Sequence, residues 1–389
     1  MGAPAALVVT ALSGLILFLL GRDILLARRL PKLTATTLSG DSPKVTIVIP
    51  ARNEQANIEP CVRGALGQTY PNYSVVVVDD HSTDGTPHIL RRLAETFGER
   101  LRVVLGRPLP PGWVGKCNAC WHGAQHADLS EWLLFLDADT VPQPGLLAAL
   151  IAFAQSHRLD VLSVLPFNEL PTLAEQLVLP VFYQFALTAF PLRANLSPEA
   201  PAQAVIANGQ CLLVRASAYW SIGGHEAVKD KVLEDIELAQ ALRRAGFRVG
   251  LATAFDFLRV RMYRSFGEIV QGLGKHAAAG RWASGWRAFW AVARMTLTTA
   301  LPPVLLLLAS AHAASAPSLV SLTALATALS AYAVHLGFWV QRYRLWYRLP
   351  ARAATQVALG WLLYLYIVVR GTLRVWLGRG VVWKERVYS

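Results

Sequence analysis

Four apolar stretches, each long enough to cross a bilayer, restrict what this chain can fold into more than any other feature. They cover residues 3–20, 296–314, 318–340 and 353–369, and none of them contains Asp, Glu, Lys or Arg. A helix of about 20 apolar residues spans the hydrocarbon core of a membrane. We therefore expect an N-terminal anchor over residues 1–21 and transmembrane helices within residues 296–370, with a large domain between them.

The basic residues beside these stretches indicate an orientation. Arg22, Arg28 and Arg29 follow the first stretch, whereas a secretory signal peptide carries its positive charges before the apolar run. Because basic flanks stay inside, we expect a multi-pass protein of the inner (plasma) membrane with a cytoplasmic central domain. Counting spans places the C-terminus outside, but the basic C-terminal tail of residues 371–389 favours the inside. The topology of the last segments therefore stays open.

The charge balance favours a membrane as the partner. The chain has 37 Lys and Arg against 25 Asp and Glu, a net charge of +12. Such a charge suits a nucleic-acid-binding protein or a protein that rests on anionic lipid. The basic residues lie beside aromatic residues and apolar stretches, and the sequence has no nucleic-acid-binding motif. We therefore expect a membrane partner and no nucleic acid.

The cysteines do not indicate a disulfide framework. Cys61, Cys117, Cys120 and Cys211 are few and scattered, which is typical of a reducing compartment. Cys117 and Cys120 form a Cys-x-x-Cys pair, but no second pair follows at the spacing of a structural zinc site.

The pattern changes over residues 44–258, where short β-branched runs alternate with amphipathic stretches. Buried strands are predicted at residues 45–49, 75–78, 101–105, 132–136 and 161–165. Most neighbouring strands leave room for one crossover helix, which predicts an α/β fold with a mainly parallel sheet. Folds of this kind bind ligands beyond the carboxyl ends of their strands.

Residues 259–295 link this domain to the last three apolar stretches. Trp282, Trp286 and Trp290 recur there at helical spacing and are interspersed with arginines. Such a stripe is often an ordinary core helix, but beside membrane spans and arginines we expect residues 259–295 to form amphipathic helices that lie in the membrane interface.

Candidate binding residues, most of them polar, follow the first two predicted strands. These residues are Pro50, Arg52, Asn53 and Glu54 after the first strand, and Asp79 and Asp80 after the second. A carboxylate at this edge of the sheet can accept hydrogen bonds from a base or a ribose, so these residues are candidates for binding a nucleotide. The alternative for the second group is an Asx-rich turn that caps the next helix.

The strongest single signal is Asp137-Ala138-Asp139, which directly follows the apolar run of residues 132–136. In extended chain, residues i and i+2 point to the same side, so the two carboxylates would converge. Two like charges so close favour a bound Mg²⁺ or Mn²⁺, which also neutralises a substrate diphosphate. A polar strand end without a metal is the alternative.

Two further charged motifs are candidates. Lys116 follows a glycine-containing turn, where a compact ammonium can meet a phosphate, although the spacing is not that of a Walker A loop. Glu234 and Asp235 open an amphipathic helix that ends near Gly246. Acidic residues at a helix start are usually caps, so their interest comes from their position after the Asp-Ala-Asp motif.

Together these motifs occur in the order typical of family 2 glycosyltransferases, and the chain resembles that family over roughly residues 44–280. The resemblance implies the GT-A fold and an inverting, metal-dependent hexosyltransferase that uses a UDP-sugar. It places Asp79 or Asp80 on the uracil or ribose, and Lys116 and Asp137 at the donor. It places Asp139, with Asp137, on the metal, and Asp235, beside Glu234, as the catalytic base.

Within that family the chain is similar to carotenoid- and hopanoid-associated membrane enzymes, through residues 112–116, 223–225, 261–263 and 274–275. The resemblance implies an acceptor site that includes His225, Arg261, Tyr263 and Lys275. The Gln-x-x-Arg-Trp motif of processive synthases is absent, which disfavours chain elongation. The apolar residues 173–192 fit either a protein core or a groove for a lipid tail.

We therefore expect a transferase that moves a sugar from a UDP-sugar to a membrane lipid, such as a carotenoid, a hopanoid or another glycolipid precursor. A polyprenyl-phosphate or polysaccharide-type transferase stays open, because it would use the same donor chemistry. A membrane scaffold that binds nucleotide without catalysis is disfavoured by the carboxylates of Asp137, Asp139 and Asp235. A Rossmann dehydrogenase is disfavoured because no Gly-x-Gly-x-x-Gly follows the first strand.

Overall fold

Two compact units make up the protein in the computed structural model. The model describes residues 3–27, 30–36, 42–127, 129–190, 195, 197, 199–278, 285–377, 381–383 and 386–388. An α/β unit comprises Leu30–Glu169 and Phe190–Met262, and a helical unit comprises Met1–Arg29, Leu170–Ala189 and Tyr263–Ser389. The expected domain of residues 44–258 is thus interrupted, because Leu170–Ala189 belongs to the helical unit.

Strands and helices alternate through the α/β unit. The elements of both units are numbered together here in chain order. The strands are β1 (Val45–Ala51), β2 (Tyr73–Asp79), β3 (Leu101–Leu105), β4 (Trp132–Leu136), β5 (Thr140–Pro142), β6 (Val161–Leu165), β7 (Phe167–Asn168), β8 (Cys211–Arg215), β9 (Val249–Thr253), β10 (Leu258–Val260), β11 (Val381–Trp383) and β12 (Arg386–Tyr388). The helices are α1 (Ala3–Ala27), α2 (Ile58–Leu66), α3 (Thr86–Phe97), α4 (Gly115–Ala124), α5 (Leu146–Ser156), α6 (Leu173–Ala189), α7 (Ala216–Ser221), α8 (Glu234–Arg244), α9 (Phe266–Ala278), α10 (Gly285–Met295), α11 (Leu301–Ser315), α12 (Leu319–Tyr347) and α13 (Val357–Trp376).

A seven-stranded sheet in the order β3-β2-β1-β4-β8-β6-β9 forms the centre of the α/β unit. β1 pairs in parallel with β2 and β4, so that Ile47 lies between Val75 and Leu134. β8 is antiparallel to both of its neighbours, β4 and β6. The prediction of an α/β fold with a mainly parallel sheet is confirmed, and each of the five predicted strands is present. β8 was not among the predicted strands.

Alternating side chains of the sheet are buried on its two faces. Ile47 and Ile49 of β1 belong to one hydrophobic cluster, which also contains apolar residues of α2, α3 and α5. Val48, between them in sequence, belongs to a second cluster with residues of α4 and α8. Because a strand projects successive side chains to opposite faces, the apolar run of β1 is buried on both sides.

Within the residues that the structure describes, the helical unit has four helical segments that are long and apolar enough to cross a membrane. They are Ala3–Leu25, Phe289–Ser315, Leu319–Tyr347 and Ala351–Arg374, which confirms that the predicted stretches are helices of spanning length. Within this unit Arg294 forms an ion pair with Asp23. On α10, Trp286 and Trp290 are exposed, whereas Trp282 lies outside the described residues.

The apolar residues 173–192 form helix α6 as far as Ala189, and residues 191 and 192 lie outside the described part of the chain. α6 packs closely against α13. A Cβ on Gly360 of α13 would lie only 2.1 Å from the backbone oxygen of Leu177 of α6, so the two helices can be this close only with glycine at position 360. The Tyr343 hydroxyl of α12 donates a hydrogen bond of 3.0 Å to the backbone oxygen of Gln176. This segment, which the sequence predicts to be either protein core or a groove for a lipid tail, is therefore packed against other helices of the helical unit.

Helix α4, which carries Lys116, lies close to the sheet at Gly123. A Cβ at Gly123 would lie 2.4 Å from Cγ1 of Val48 and 3.0 Å from Cγ2 of Val78. Both valines are fully buried and β-branched, so they have little freedom to rotate away. Glycine at this position therefore sets the distance between α4 and the sheet.

We predict that Gly123→Ala lowers the apparent Tm of the full chain in detergent. Overpacking a core costs ~1–3 kcal/mol, more than the ~1 kcal/mol that alanine gains over glycine in a helix. Gly267→Ala is the matched control, because Gly267 also lies in a helix and a Cβ there would meet only Ser265 Oγ at 3.8 Å. Circular dichroism on heating measures both, and equal Tm values for the two variants would contradict the prediction.

Candidate active site

The loops after β1 and β2 are joined by hydrogen bonds at the carboxyl ends of these parallel strands. The backbone N–H of Asn53 donates to Ser82 Oγ at 3.0 Å, and Asn53 Oδ1 accepts from the backbone N–H of Thr83 at 2.8 Å. Asn53 has a φ of 52°, a left-handed conformation that asparagine tolerates better than most residues. The two predicted nucleotide-binding segments therefore form one edge.

The carboxylates of this edge are buried. Asp79 Oδ1 accepts from the backbone N–H of Ser82 at 3.0 Å, and Arg52 Nη1 donates to the backbone oxygen of Asp80 at 2.7 Å. The side chains of Asp79 and Asp80 are almost fully buried. The hydrogen bond of Asp79 closes a turn that holds Asp80 at the sheet edge, and Asp84 Oδ1 accepts from the backbone N–H of Thr86 at the start of α3, at 3.0 Å.

Glu54 extends this edge toward helix α3. Its backbone N–H donates to Thr86 Oγ1 at 2.8 Å, and its Oε2 accepts from Asn57 Nδ2 at 2.9 Å. Pro50, at the end of β1, lines the small cavity described below. All six residues predicted from the first two strand ends therefore lie at the carboxyl edge of β1 and β2.

The chain turns directly after β4, at the Asp-Ala-Asp motif. The backbone N–H and the hydroxyl of Thr140 both donate to the backbone oxygen of Asp137, at 3.1 and 2.7 Å. The expectation of an extended chain across Asp137 and Asp139 was wrong, because these two bonds close a turn. The two carboxylates are thus placed by a turn between β4 and β5.

Lys116 holds two carboxylates together. Its Nζ lies 2.7 Å from Asp137 Oδ1 and 2.7 Å from Glu234 Oε1. Burial lowers the pKa of Lys116, but these two carboxylates outweigh it and raise the pKa well above its ordinary value. Lys116 is therefore a cation that joins the N-terminal turns of α4 and α8 to the end of β4. Its contact with a donor phosphate stays a prediction.

Asp235 lies against the backbone of the segment before β8. Its Oδ2 accepts from the backbone N–H of Gly209 at 2.6 Å, and its Oδ1 accepts from the backbone N–H of Ile236 at 2.8 Å. Burial and the neighbouring carboxylate of Glu234 raise the pKa of Asp235 to about 7, although Lys116 and these hydrogen bonds act in the opposite direction. A carboxylate with such a pKa can both take up and release a proton near neutral pH.

One small cavity brings most of these side chains together. It is lined by Pro50, Lys116, Cys120, Phe135, Asp137, Gly209, Leu212, His225, Glu234 and Asp235. Although successive helical residues point about 100° apart, Glu234 and Asp235 both line it. The sequence did not single out Gly209, whose Cβ would lie 3.0 Å from Lys116 Nζ and 3.1 Å from Asp235 Oδ2. The Asn208-Gly209 turn signal before the apolar run of β8 could have indicated it.

The other predicted acceptor residues are placed differently from His225. Arg261 follows β10 and is not among the residues that line this cavity in the described part of the α/β unit. Tyr263 belongs to the helical unit, where its ring is buried and a Cβ on Gly272 of α9 would lie 2.4 Å from it. The side chain of Lys275 lies outside the described residues.

The oxygen ligands at the end of β4 fit a hard divalent cation that a substrate also binds. Burial raises the pKa of the Cys61 thiol, and the carboxylates of Asp139, Glu54 and Asp137 raise it further, so negative charge gathers in this region. Among the described residues, no three His, Cys, Asp or Glu side chains are close enough to hold an ion by themselves. An ion there would need further oxygens from a substrate, as Mg²⁺ commonly does with phosphates.

Comparison with known proteins finds similarity to glycosyltransferases. Residues 46–189 match the family model described as Glycosyl transferase family 2. The chain is 27% identical over 259 residues to the 4,4'-diaponeurosporenoate glycosyltransferase of Staphylococcus aureus (strain MRSA252), a match that covers 66% of this chain and 66% of that relative. The chain thus covers slightly less than two thirds of the length of this relative.

A solved structure shows the same fold. The mannosyltransferase PcManGT from Pyrobaculum calidifontis, in complex with GDP-Man and Mn²⁺, is similar with a TM-score of 0.54 at 22% identity, over 95% of this chain and 98% of that chain. The protein therefore has the GT-A fold of glycosyltransferases. Residues 46–189 also match the family 2 glycosyltransferase model, which agrees with the resemblance of the motifs in the sequence.

We predict that Asp235→Asn reduces kcat by roughly 10²–10⁴-fold while folding and nucleotide binding persist, because Asn cannot accept a proton. The rate of the unaltered protein should rise with pH through about 7, since Asp235 is ionised only above its raised pKa. Initial rates across the pH range measure both effects.

Glu234→Gln is the neighbouring control. This change removes one partner of Lys116 but leaves Asp235 and its bond to Gly209 in place. Near-normal turnover in Asp235→Asn together with an inactive Glu234→Gln would show that the base is the other carboxylate.

Proposed function

We propose that this chain transfers a sugar from a UDP-sugar to a lipid acceptor, with inversion at the anomeric carbon, at the cytoplasmic face of the plasma membrane. The observation that carries the proposal is the cavity in which Asp235 lies beside the Lys116 pair with Asp137 and Glu234. The GT-A fold and the family match support the class of reaction. The four apolar helices support a membrane location, and the basic residues after the first helix support the cytoplasmic orientation.

The donor side of the proposal rests on the edge formed by β1, β2 and β4. Asp79 and Asp80 would bind the base or ribose there, beside Arg52, Asn53 and Glu54. The similar mannosyltransferase, solved with GDP-Man, supports a nucleotide-diphosphate sugar as the donor class. Uridine as the base rests on the family resemblance of the sequence.

The chemistry follows from the charges around Asp235. An acceptor hydroxyl must lose its proton as it attacks the anomeric carbon, and a carboxylate with a pKa of about 7 suits that task. Gly209 and Ile236 hold both oxygens of Asp235, so that the carboxylate keeps one orientation. Lys116 would stabilise the negative charge that gathers on the leaving diphosphate, provided that it exchanges one of its carboxylate partners for a phosphate.

A divalent cation belongs to the proposal. Asp139 and Asp137 would hold Mg²⁺ or Mn²⁺, which supplies neutralisation of the diphosphate as it departs. The Mn²⁺ in the complex of the similar mannosyltransferase supports this choice of metal class. Asp137 would then share its charge between the ion and Lys116.

The acceptor is proposed to be a carotenoid-type lipid. The name of the Staphylococcus aureus relative gives such an acceptor for that enzyme, and the helical unit suits an acceptor dissolved in the membrane. The cavity is lined by Asp137, Glu234 and Asp235 with Lys116 as the counter-charge, so it suits a neutral hydroxyl better than a second anion. A polyprenyl phosphate would bring such an anion close to the same carboxylates.

We predict that membranes containing this chain transfer label from a radioactive UDP-sugar to an organic-soluble lipid. The control is the Asp235→Asn variant in the same membranes, which should give background labelling. Product that remains labelled after mild acid would exclude a polyprenyl phosphate sugar, and water-soluble polymer would indicate a polysaccharide synthase. If the chain binds nucleotide but gives no labelled product, the proposal is overturned and the protein is a membrane scaffold that binds nucleotide without catalysis.

We also predict that turnover requires Mg²⁺ or Mn²⁺ and that Asp139→Asn loses most activity while the protein still inserts into membranes. The reason is that an amide is a weaker ligand than a carboxylate for a hard cation. Titration with EDTA, followed by addition of each metal, measures the requirement. Full activity in excess EDTA would exclude the metal role of Asp139.

A further inference from the structure

Tyr219 is a fully buried residue beside the cavity, and the chain folds tightly around it. It lies in α7, directly after β8, and its exposed fraction is 0%. Gly223 and Gly224 follow with φ values of 82° and 57°, and a Cβ on Gly224 would lie 2.4 Å from the Tyr219 ring. These two glycines allow the backbone to turn back onto the phenol, which brings His225 against it.

Two hydrogen bonds join Tyr219 to His225. The backbone N–H of His225 donates to the Tyr219 hydroxyl oxygen at 3.1 Å, and the same oxygen lies 2.8 Å from His225 Nδ1. In the described part of the chain, the phenolic hydrogen has no other acceptor than Nδ1. A buried hydroxyl donates its hydrogen where an acceptor is present. Nδ1 is therefore the acceptor, and the neutral ring carries its hydrogen on Nε2.

The imidazole ring of His225 is 2% exposed and lines the cavity together with Lys116, Asp137, Glu234 and Asp235. Phe135 packs against it at 4.7 Å with nearly perpendicular planes, so the ring cannot turn freely. Within the described residues, Nε2 has no hydrogen-bond partner, although both the backbone N–H and Nδ1 of His225 are bonded. His225 thus presents an Nε2–H donor at the cavity wall that no group of the described residues accepts.

The charges around His225 keep it neutral. The pKa of His225 is lowered to about 4, mainly by burial. The carboxylate of Glu234 acts to raise this pKa, and the ammonium of Lys116 acts to lower it further. Asp137, Asp235 and Cys120 are the other titratable groups of the cavity, and Tyr219 is the titratable group behind the ring. A neutral imidazole in this position is a hydrogen-bond donor and not a competing base for Asp235.

We propose that Tyr219 is a positioning residue that holds His225 in its Nε2–H form, and that this N–H donates a hydrogen bond to a hydroxyl oxygen of a substrate in the cavity. The proposal rests on the proposed function for the identity of that substrate. The oxygen belongs either to the transferred sugar or to the lipid acceptor, and both offer the same chemistry to a neutral donor.

The tautomer can be measured without turnover. The full chain, labelled with ¹⁵N-histidine and placed in nanodiscs, gives ring signals from nine histidines, and His225→Gln identifies the signal of His225. We expect a bare Nδ1 and a protonated Nε2 from about pH 5.5 to about pH 8. A ring that carries its hydrogen on Nδ1, or that becomes charged near the ordinary histidine pKa, would overturn the proposal.

Tyr219→Phe tests the positioning role directly. Without the phenol the ring should populate both tautomers and take up a proton at higher pH, because the phenolic hydrogen no longer stabilises a bare Nδ1. Tyr70→Phe is the matched control, since Tyr70 is also buried and its hydroxyl donates a hydrogen bond to the backbone oxygen of Pro43, at 2.6 Å, instead of to a histidine. An unchanged His225 signal in Tyr219→Phe would contradict the role of Tyr219.

Kinetics identify the substrate oxygen. His225→Ala should raise the KM of one substrate by about two- to tenfold, the effect of one neutral hydrogen bond, and His225→Gln should largely restore it. A change in the KM of the UDP-sugar assigns the bond to the sugar, and a change in the KM of the lipid assigns it to the acceptor. Equal behaviour of the Ala, Gln and unaltered proteins would exclude the bond. Absence of any sugar transfer would refute the proposed function alone, because the nuclear magnetic resonance result does not depend on it.

Discussion

The double ion pair of Lys116 is the interaction on which the rest of the site depends. One ammonium bonds Asp137 after β4 and Glu234 at the start of α8, each at 2.7 Å. Removing it would leave these carboxylates close together in a buried place, where like charges cannot both stay ionised. The lysine therefore permits an acidic cavity to exist, and it does so with a group that also suits a phosphate. The same ammonium thus pairs with the carboxylates of the fold and is the group proposed to meet the donor phosphate.

The same cavity separates two carboxylates into two roles through their partners. Glu234 is paired with Lys116, whereas Asp235 accepts hydrogen bonds from the backbone N–H groups of Gly209 and Ile236 and has a raised pKa. Neighbouring residues on one helix thus have different partners, an ammonium for one and backbone amides for the other. Burial and the charge of Glu234 raise the pKa of Asp235 against the effect of those amides, which suits the proton-accepting role proposed for it.

The sequence predicted the parts of this site that are local and could not predict those that are not. The apolar runs of β1, β2 and β4 and the acidic residues after them were visible, because burial and strand ends leave a pattern in adjacent residues. The turn at Asp137 was missed, since it depends on Thr140 reaching back to a backbone oxygen. Gly209 was missed because its importance comes from Asp235, which is far away in sequence. Tyr219 was missed because its contact with His225, six residues later, depends on the tight backbone turn at Gly223 and Gly224. The pairing of Lys116 with Glu234 is likewise a contact between distant segments.

The antiparallel strand β8 has a consequence for the order in which the protein can be assembled. β4 ends at Leu136, and its partner β8 begins only at Cys211, with α6 of the helical unit in between. During synthesis from the N-terminus, one edge of β4 must stay unpaired while these residues emerge, and such an apolar edge is prone to wrong pairing. Completion of the sheet also brings Gly209 to Asp235. The bond that orients Asp235 therefore cannot form before the apolar helix α6 has left the ribosome.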